Sequence, residues 1–541
     1  MDITTSSAAE DSAQVALIYE RDVPVPTRDG TRLHANVYRP ADGSPAPVIM
    51  SFSPYGKDRS LAVRSPKHFD ALGQGVFLNW ETPDPEFWVP RGYTLVRVDA
   101  RGAAASAGHL DPFAAKTAED YVDAIEWAGA QRWSTGKVGL LGISYYGLSQ
   151  WAAAARKPKY LTAMIPWEGA ADSYRDIHRH GGILNNVFLS GWWKGVSSTQ
   201  NGAGSTTDAE LTAHRTSPID EGHDHLLDDE RFTSWIPDLS TIDVPFLSVG
   251  NWGNLGMHLR GNTEAFTGAG SEHKWLRLIE GDHIFPFYAP EALALQEQFL
   301  GYWLKGDDTG WMDEPRVAVA LRADGDSTVR TSSTWPLAET QWEVLHLDAH
   351  TKTLRASAPT DDASAAFQAG SAPSDRVQFS TGALQQPLRI AGPVELRMTV
   401  SSSTTDADLF IRLRVLRPDG SERWGIGADG EDTALALGWL RASQRRLDTS
   451  RSTTGRPFHS HDRIEPLMPG VPVALAIEIW PTSIDVAAGC ELIVEVRGTD
   501  PEGTHFRHND PVDRPADIFG GRTTIWTGPD QVNELIIPTI S

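Results

Sequence analysis

The run V-G-L-L-G-I-S-Y-Y-G-L-S at 138–149 constrains the fold more than any other stretch of the chain. A short apolar strand, Val138 to Leu141, enters a Gly-x-Ser turn, and a helical pattern leaves it through Tyr145, Tyr146, Gly147 and Ala152 to Ala155. This is the sequence form of a nucleophile elbow, which seats a serine between a strand and a helix of an α/β sheet. The turn needs small residues beside the serine, here Gly142 and Gly147, and the pattern G-x-S-x-x-G is one residue longer than the usual form. Ser144 at a helix N-terminus would face free N–H groups and the positive end of the dipole, which favour a developing negative charge.

The surrounding pattern agrees with that reading. Apolar runs recur at Val48 to Phe52, Thr94 to Val98, Val138 to Leu141, Thr162 to Ile165, Pro245 to Val249 and Leu276 to Ile279, with helical stretches such as Ala118 to Ala130 between them. Strand alternating with helix predicts a mostly parallel sheet covered on both faces. The small polar residues 1–18 read as a frayed tail, followed by strands around an R-D-G-T turn at 28–31. The rhythm stops between Asp172 and Asp243, where Trp192-Trp193, a Gly/Ser/Thr-rich patch at 196–207 and acidic polar segments stand. This predicts a mostly helical insertion over the strand ends. After Lys305-Gly306 many short strands recur between turns such as R-P-D-G, predicting an all-β sandwich of the jelly-roll kind. The expected boundaries are a core at 19–171 and 240–312, an insertion at 172–239 and a sandwich at 313–541.

Composition excludes several classes. The 541 residues are 40% hydrophobic and 22% charged, and 71 acidic against 48 basic side chains give a formal charge of −23. That balance speaks against nucleic acid or an anionic membrane as partner. The single cysteine, Cys490, rules out an intramolecular disulfide and a cysteine-based zinc site, and reads as a buried strand thiol. With no basic leader and no apolar stretch of 18 residues, a soluble cytoplasmic protein is expected. The oligomeric state stays open, a homodimer included.

A serine nucleophile needs a base, and His283 stands in the G-D-H-I-F-P-F loop after the apolar run ending at Ile279. That is where an α/β-hydrolase carries its histidine. An oxyanion hole needs two donors: the backbone N–H of Tyr145, and the phenol of Tyr55 in the S-P-Y-G-K-D loop after the strand at 48–52. His258, Trp192 and Trp193 are candidate pocket residues. His178 and His180 have metal-ligand spacing but lack a completing carboxylate pattern. Thr405 to Asp408 reads as a turn rather than a calcium loop. No metal or organic cofactor is expected.

The S-P-Y-G-K loop, D-A-R-G-x-x-x-S-x-G at 99–108, W-S-T-G-K-V-G-L-L-G-I-S-Y-Y-G-L-S-Q-W at 133–151 and the late His283 together resemble the cocaine esterase / X-prolyl dipeptidyl-peptidase family of serine hydrolases. G-W-L-R-A-S-Q-R-R-L-D at 438–448 and P-L-M-P-G at 466–470 are similar to that family's last domain. The resemblance spans nearly the whole chain. It implies an α/β-hydrolase core, an inserted helical cap, a C-terminal jelly roll and an oxyanion role for Tyr55. Asp99 and Arg101 are taken as a structural pair.

One departure concerns the triad acid. The family carries it after the next-to-last core strand in a G-W-Y-D type sequence, but here that place reads G-N-W-G-N at 250–254, with Gly253 and Asn254 where an acid is expected. An imidazole that becomes cationic in the transition state wants a carboxylate on its other nitrogen. Glu168, in P-W-E-G one strand after the nucleophile, is the candidate that keeps the order Ser144, Glu168, His283. Asp282, Asp172, Asp176 and an acid-free dyad are the alternatives. The expected function is hydrolysis of a small-molecule ester, or an amide, through an acyl-enzyme. X-prolyl dipeptidyl-peptidase or acyltransferase activity are alternatives on the same fold, and a non-catalytic carbohydrate-binding protein is the alternative of another class.

Overall fold

The computed structural model describes residues 17–201, 207–236, 238–370 and 375–541. The expected frayed tail lies, up to residue 16, outside the described residues, as do residues 202–206 of the Gly/Ser/Thr-rich patch.

Ten strands build the first sheet: β1 (Leu17–Pro26), β2 (Arg32–Pro40), β3 (Ala46–Ser53), β4 (Thr94–Asp99), β5 (Ser134–Ile143), β6 (Leu161–Trp167), β7 (Phe246–Asn251), β8 (Lys274–Ile279), β9 (Val317–Leu321) and β10 (Thr328–Ser332). Their spatial order is β1-β2-β4-β3-β5-β6-β7-β8-β9-β10. Pairing is parallel from β4 through β9 and antiparallel at both ends. Every residue of β3, β4 and β7 is buried, as near-continuous apolar runs require when both faces are covered. Helix α1 (Ala115–Gly129) lays Ala118, Tyr121, Val122, Ile125 and Ala128 on the sheet, an i, i+3, i+4 stripe. Tyr121 stacks on Phe52 of β3 with ring centres 4.6 Å apart. The chain crosses from one side of β3 to the other between β4 and β5. Such a reversal opens a crevice beyond the carboxyl ends of the strands, and the loops after β3 and β5 carry Tyr55 and Ser144 to it.

The segment between β6 and β7 is largely helical. A π-helical turn (Ser173–His178) precedes helix α2 (Asn186–Ser197), and short helices follow at Asp208–Ala213, Pro218–Asp224 and Glu230–Thr233. Leu189, Trp193, Val196 and Trp235 of this segment pack with Phe113 and Tyr145 in one apolar cluster.

From Gln341 onward the strands form a second sheet, in which Leu388–Ser402 pairs antiparallel with both Val473–Val486 and Asn533–Thr539. Leu396, Met398, Ile411, Leu413, Ile477 and Val494 fill its interior, with Cys490 buried among them. The boundary differs from the expected 312/313. β9 pairs parallel with β8 and β10 antiparallel with β9, so the first sheet runs on to Ser332. A five-residue strand such as V-A-V-A-L carries no signal for which of two sheets it joins.

The two units share a core. Trp252 and Leu255 pack in one apolar cluster with Phe410, Leu437, Trp439 and Trp480. Buried ion pairs cross the joint, Arg179 to Asp513 at 2.8 Å and Arg260 to Glu478 at 2.9 Å. A chain ending at Thr340 would expose that apolar face and strand Arg179 without its carboxylate, a loss of about 3–5 kcal/mol for a buried pair. Such a truncation is expected to be insoluble or inactive. Soluble yield and retained activity beside the full chain check this, and a soluble, fully active fragment would make the β unit an independent module.

Candidate active site

Ser144 sits at the tip of β5 with φ 60° and ψ −120°, a conformation that side chains other than glycine rarely adopt. Holding it costs on the order of 1–3 kcal/mol, and the surroundings enforce it. The Ser144 N–H donates to Trp167 O at 3.0 Å, and its carbonyl accepts the N–H of Gly147 at 2.8 Å and of Leu148 at 2.7 Å. At Gly147 a Cβ would come within 2.5 Å of Trp167 O, so the helix of the elbow (Tyr145–Ala154) reaches the sheet only with glycine there. The Tyr145 N–H opens that helix, where the first N–H groups have no intrahelical acceptor. The Tyr145 side chain points elsewhere, its hydroxyl donating to Pro112 O at 2.5 Å.

Tyr55 reaches the elbow from the loop after β3. Its hydroxyl accepts the Trp192 indole N–H at 2.8 Å, which leaves its own proton free to donate, and Ser144 lies within its hydrogen-bonding reach. Burial pushes the phenol well above its ordinary range, so it stays a donor at any working pH. Of the two expected tryptophans, Trp192 lines the cavity and Trp193 does not. Neighbours on a helix point about 100° apart, and Trp193 turns into the apolar cluster under the inserted segment.

Glu168 follows β6 with φ 47° and is completely buried. Its Oε2 lies 2.9 Å from His283 Nδ1. The G-N-W-G-N loop, which lacks the expected acid, supplies donors instead: Asn254 Nδ2 reaches Glu168 Oε2 at 2.7 Å and Asn251 Nδ2 reaches Oε1 at 3.1 Å. Gly253 of that loop is a contact residue, since a Cβ there would stand 2.2 Å from Ile426 O of the β unit. The other acids are engaged elsewhere. Asp282 accepts the N–H groups of Ile284 and Phe285, Asp172 pairs with Arg175, and Asp176 pairs with Arg260.

His283 is held from three sides. Its backbone N–H donates to Ala428 O of the β unit at 2.9 Å, Nδ1 meets Glu168, and Nε2 lies 3.0 Å from Glu81 Oε1. Burial alone would lower its pKa, but the charge and hydrogen bond of Glu168, joined by Glu81, raise it to about 10. No hydrogen bond joins His283 to Ser144. The imidazole that meets the elbow serine is His258, with Nε2 at 3.1 Å from Ser144 Oγ. The Nδ1 of His258 accepts the Ala170 N–H at 3.2 Å, so the ring proton is on Nε2 and donates to the serine. Burial, with His283 beside it, drives the His258 pKa far below its ordinary value. His258 thus has the wrong tautomer to take a proton from Ser144.

These groups open into a cavity of about 530 Å³ lined by Tyr55, Trp80, Glu81, Ser144, Trp192 and His283, with Ala428, Asp429, His505 and Phe506 closing it from the β unit. Neither Glu81, in N-W-E-T-P, nor the β-unit wall carries a sequence signal. Other candidates resolve as structure. His178 Nδ1 lies 2.8 Å from Ser173 O, and His180 Nδ1 lies 2.8 Å from His508 Nε2. Asp406 caps N–H groups of Ala407 and Ser443, and Asp408 pairs with Arg441. Asp99 and Arg101 are not partners of one another: Asp99 pairs with Lys57 and Arg101 with Asp120 and Asp29. Among the described residues no helix is long and apolar enough to cross a membrane.

Comparison with known proteins agrees with this architecture. Residues 29–284 match the model of the X-Pro dipeptidyl-peptidase (S15 family), and residues 309–536 match the X-Pro dipeptidyl-peptidase C-terminal non-catalytic domain. Cocaine esterase of Rhodococcus sp. (strain MB1 Bresler) is 27% identical over 481 residues, covering 74% of this chain and 80% of the esterase. An α-amino acid ester hydrolase structure shares the fold, with TM-score 0.71 at 18% identity over 99% of both chains. A crystal structure of a CocE/NonD family hydrolase from Staphylococcus aureus superposes with TM-score 0.89 at 31% identity, covering 97% of this chain and 94% of that one. With an elbow serine at the strand ends, and with likeness running through both structural units, the chain belongs to the CocE/NonD family of hydrolases.

Proposed function

We propose that the protein is a serine hydrolase that cleaves a small-molecule carboxylic ester through an acyl-enzyme. The observation that carries this is the strained Ser144 elbow opening into the cavity that His283 also lines, with Glu168 buried behind the ring at 2.9 Å from Nδ1. In this reading Ser144 attacks the carbonyl and His283 takes its proton and returns it to the leaving group. Glu168 fixes the ring and stabilises the imidazolium. The Tyr55 hydroxyl and the Tyr145 N–H hold the oxyanion, and His258 orients Ser144 Oγ. The inserted helices act as a cap, with Trp192 as a pocket wall and a partner of Tyr55. The C-terminal strands act as a jelly roll that closes the pocket and supports the histidine loop. A cavity of about 530 Å³ suits a ligand of drug-like size.

Ester is preferred to an X-prolyl amide because a peptidase of that type must grip a free amine. The two carboxylates lining the cavity are already paired, Glu81 with His283 and Asp429 with His505 at 3.2 Å. A fluorophosphonate probe should label Ser144 stoichiometrically, and a panel of aryl esters against X-prolyl anilides should favour the esters. No labelling, with intact folding, would leave the carbohydrate-binding alternative. Turnover of anilides alone would make the protein a peptidase.

Tyr55 supplies a finer check. Tyr55→Phe removes the donor and keeps the ring packing, so kcat should fall by roughly 10²–10³ with little change in KM. A change confined to KM would make Tyr55 a substrate-binding residue instead.

A further inference from the structure

His283 has a carboxylate at each ring nitrogen, and the two differ in their surroundings. Glu168 receives an asparagine N–H on each oxygen, so its charge is satisfied. Glu81 has no such support. Its Oε1 lies 3.0 Å from His283 Nε2, while Oε2 is buried and, among the described residues, has no hydrogen-bond partner. A buried anionic oxygen without a donor is costly and favours the protonated acid. The backbone presents Glu81 at this spot with φ 62°, a strained conformation of the kind that concentrates at functional sites. The nitrogen it occupies is the one that has to accept the proton of Ser144, whose Oγ rests on His258 instead.

We propose that Glu81 is a positioning residue that holds His283 as an imidazolium in the empty site, and that it takes the Nε2 proton when an uncharged ester fills the cavity, releasing His283 as base. The inference rests on the serine-hydrolase reading above. The step conserves charge. The Nε2–H bond breaks, its electron pair stays on nitrogen, and the proton bonds to Glu81 Oε1. An imidazolium–carboxylate pair becomes a neutral imidazole and a carboxylic acid. His283 then takes the Ser144 proton as Oγ attacks, and passes it to the leaving oxygen. Glu81 keeps its own proton until product leaves and water returns.

Filling the cavity drives the step because water stabilises the ion pair. Replacing that water by apolar ester surface lowers the local dielectric and favours the neutral pair. The other groups around His283 do not substitute for Glu81. Asp282 caps backbone N–H groups and meets His68 at 3.4 Å, and Asp429 is paired with His505. His258 stands parallel at 6.0 Å with its Nδ1 occupied, and Arg59 lies over the Tyr55 ring. Burial raises the Glu81 pKa, in keeping with a group that accepts a proton readily.

Histidine-selective 15N NMR on the full-length Ser144→Ala protein tests this directly. At about pH 8, above the ordinary histidine range, the empty site should show one doubly protonated imidazole, assigned by its loss in His283→Gln. Saturating phenyl butyrate should convert it to the neutral form. A neutral His283 in the empty site, or one still protonated with ester bound, overturns the proposal. In the active enzyme the pair needs only its one shared proton, so the acid limb of kcat/KM lies where the pair takes up a second. Glu81→Gln leaves an imidazolium that must lose its proton to water, and should move that limb to higher pH by about one unit or more. A loss of activity with the limb unmoved overturns the proposal too. Failure of probe labelling at Ser144 would sink the hydrolase reading, whereas the protonation of His283 in the empty site reports on Glu81 alone.

Discussion

Ser144→Ala is expected to abolish acyl-enzyme formation and lower kcat by roughly 10⁴–10⁶, while the protein folds as before. The size follows from the role proposed for the residue: in that reading Ser144 forms the covalent bond, and without it His283 has nothing left to deprotonate. Folding should survive because the strain at φ 60° is borne by backbone bonds to Trp167, Gly147 and Leu148, none of which uses the hydroxyl. The lost side-chain contacts are the 3.1 Å hydrogen bond to His258 Nε2 and the one within reach of the Tyr55 hydroxyl, worth about 1 kcal/mol each. Turnover of an aryl ester, mass spectrometry after fluorophosphonate treatment and a thermal melt check the three parts. Near-normal turnover in cleanly purified protein would remove the nucleophile assignment.

Glu168→Gln should lower kcat by roughly 10²–10⁴. The substitution keeps size but turns an acceptor toward His283 Nδ1 into a group that can present a donor, which favours the wrong ring tautomer. It also removes the first of the charges that raise the histidine. His283 should therefore titrate below its wild-type value of about 10. The sign for stability is fixed by the same shift. A histidine whose pKa is raised on folding stabilises the fold fully below 6.5, and that contribution is lost as pH rises through about 10. Wild type should accordingly exceed the variant most in denaturation at about pH 6.5 and just below, with the gap narrowing as pH rises from there and closing above about 10. Wild-type kcat in a well-folded Glu168→Gln protein would leave His283 working without an acid.

The placement of the candidate residues was legible where they sit in short local patterns. The elbow needs a strand, a tight turn and a helix in one run, and 138–149 carries all three. The histidine loop and the Tyr55 loop each follow a strong apolar strand, so their ends of the sheet could be assigned. The carboxylate beside His283 is an intermediate case. The G-N-W-G-N loop announces that the usual carboxylate is missing, and Glu168 follows from strand position. That Asn251 and Asn254 would turn back to hold Glu168 is a matter of three loops meeting.

What the sequence by itself determined is the order of elements and the residues presented at the carboxyl ends of the first sheet, because period and turn chemistry act within a few residues of one another. Which sheet β9 and β10 join, how Trp192 and Trp193 divide between cavity and core, and the pairing of Glu81 with His283 were decided only by tertiary packing. Each depends on contacts between segments up to 202 positions apart, as Glu81 and His283 are. A side chain's partner at that distance is chosen by how whole units dock and by which buried charge needs satisfying, and no local pattern encodes either.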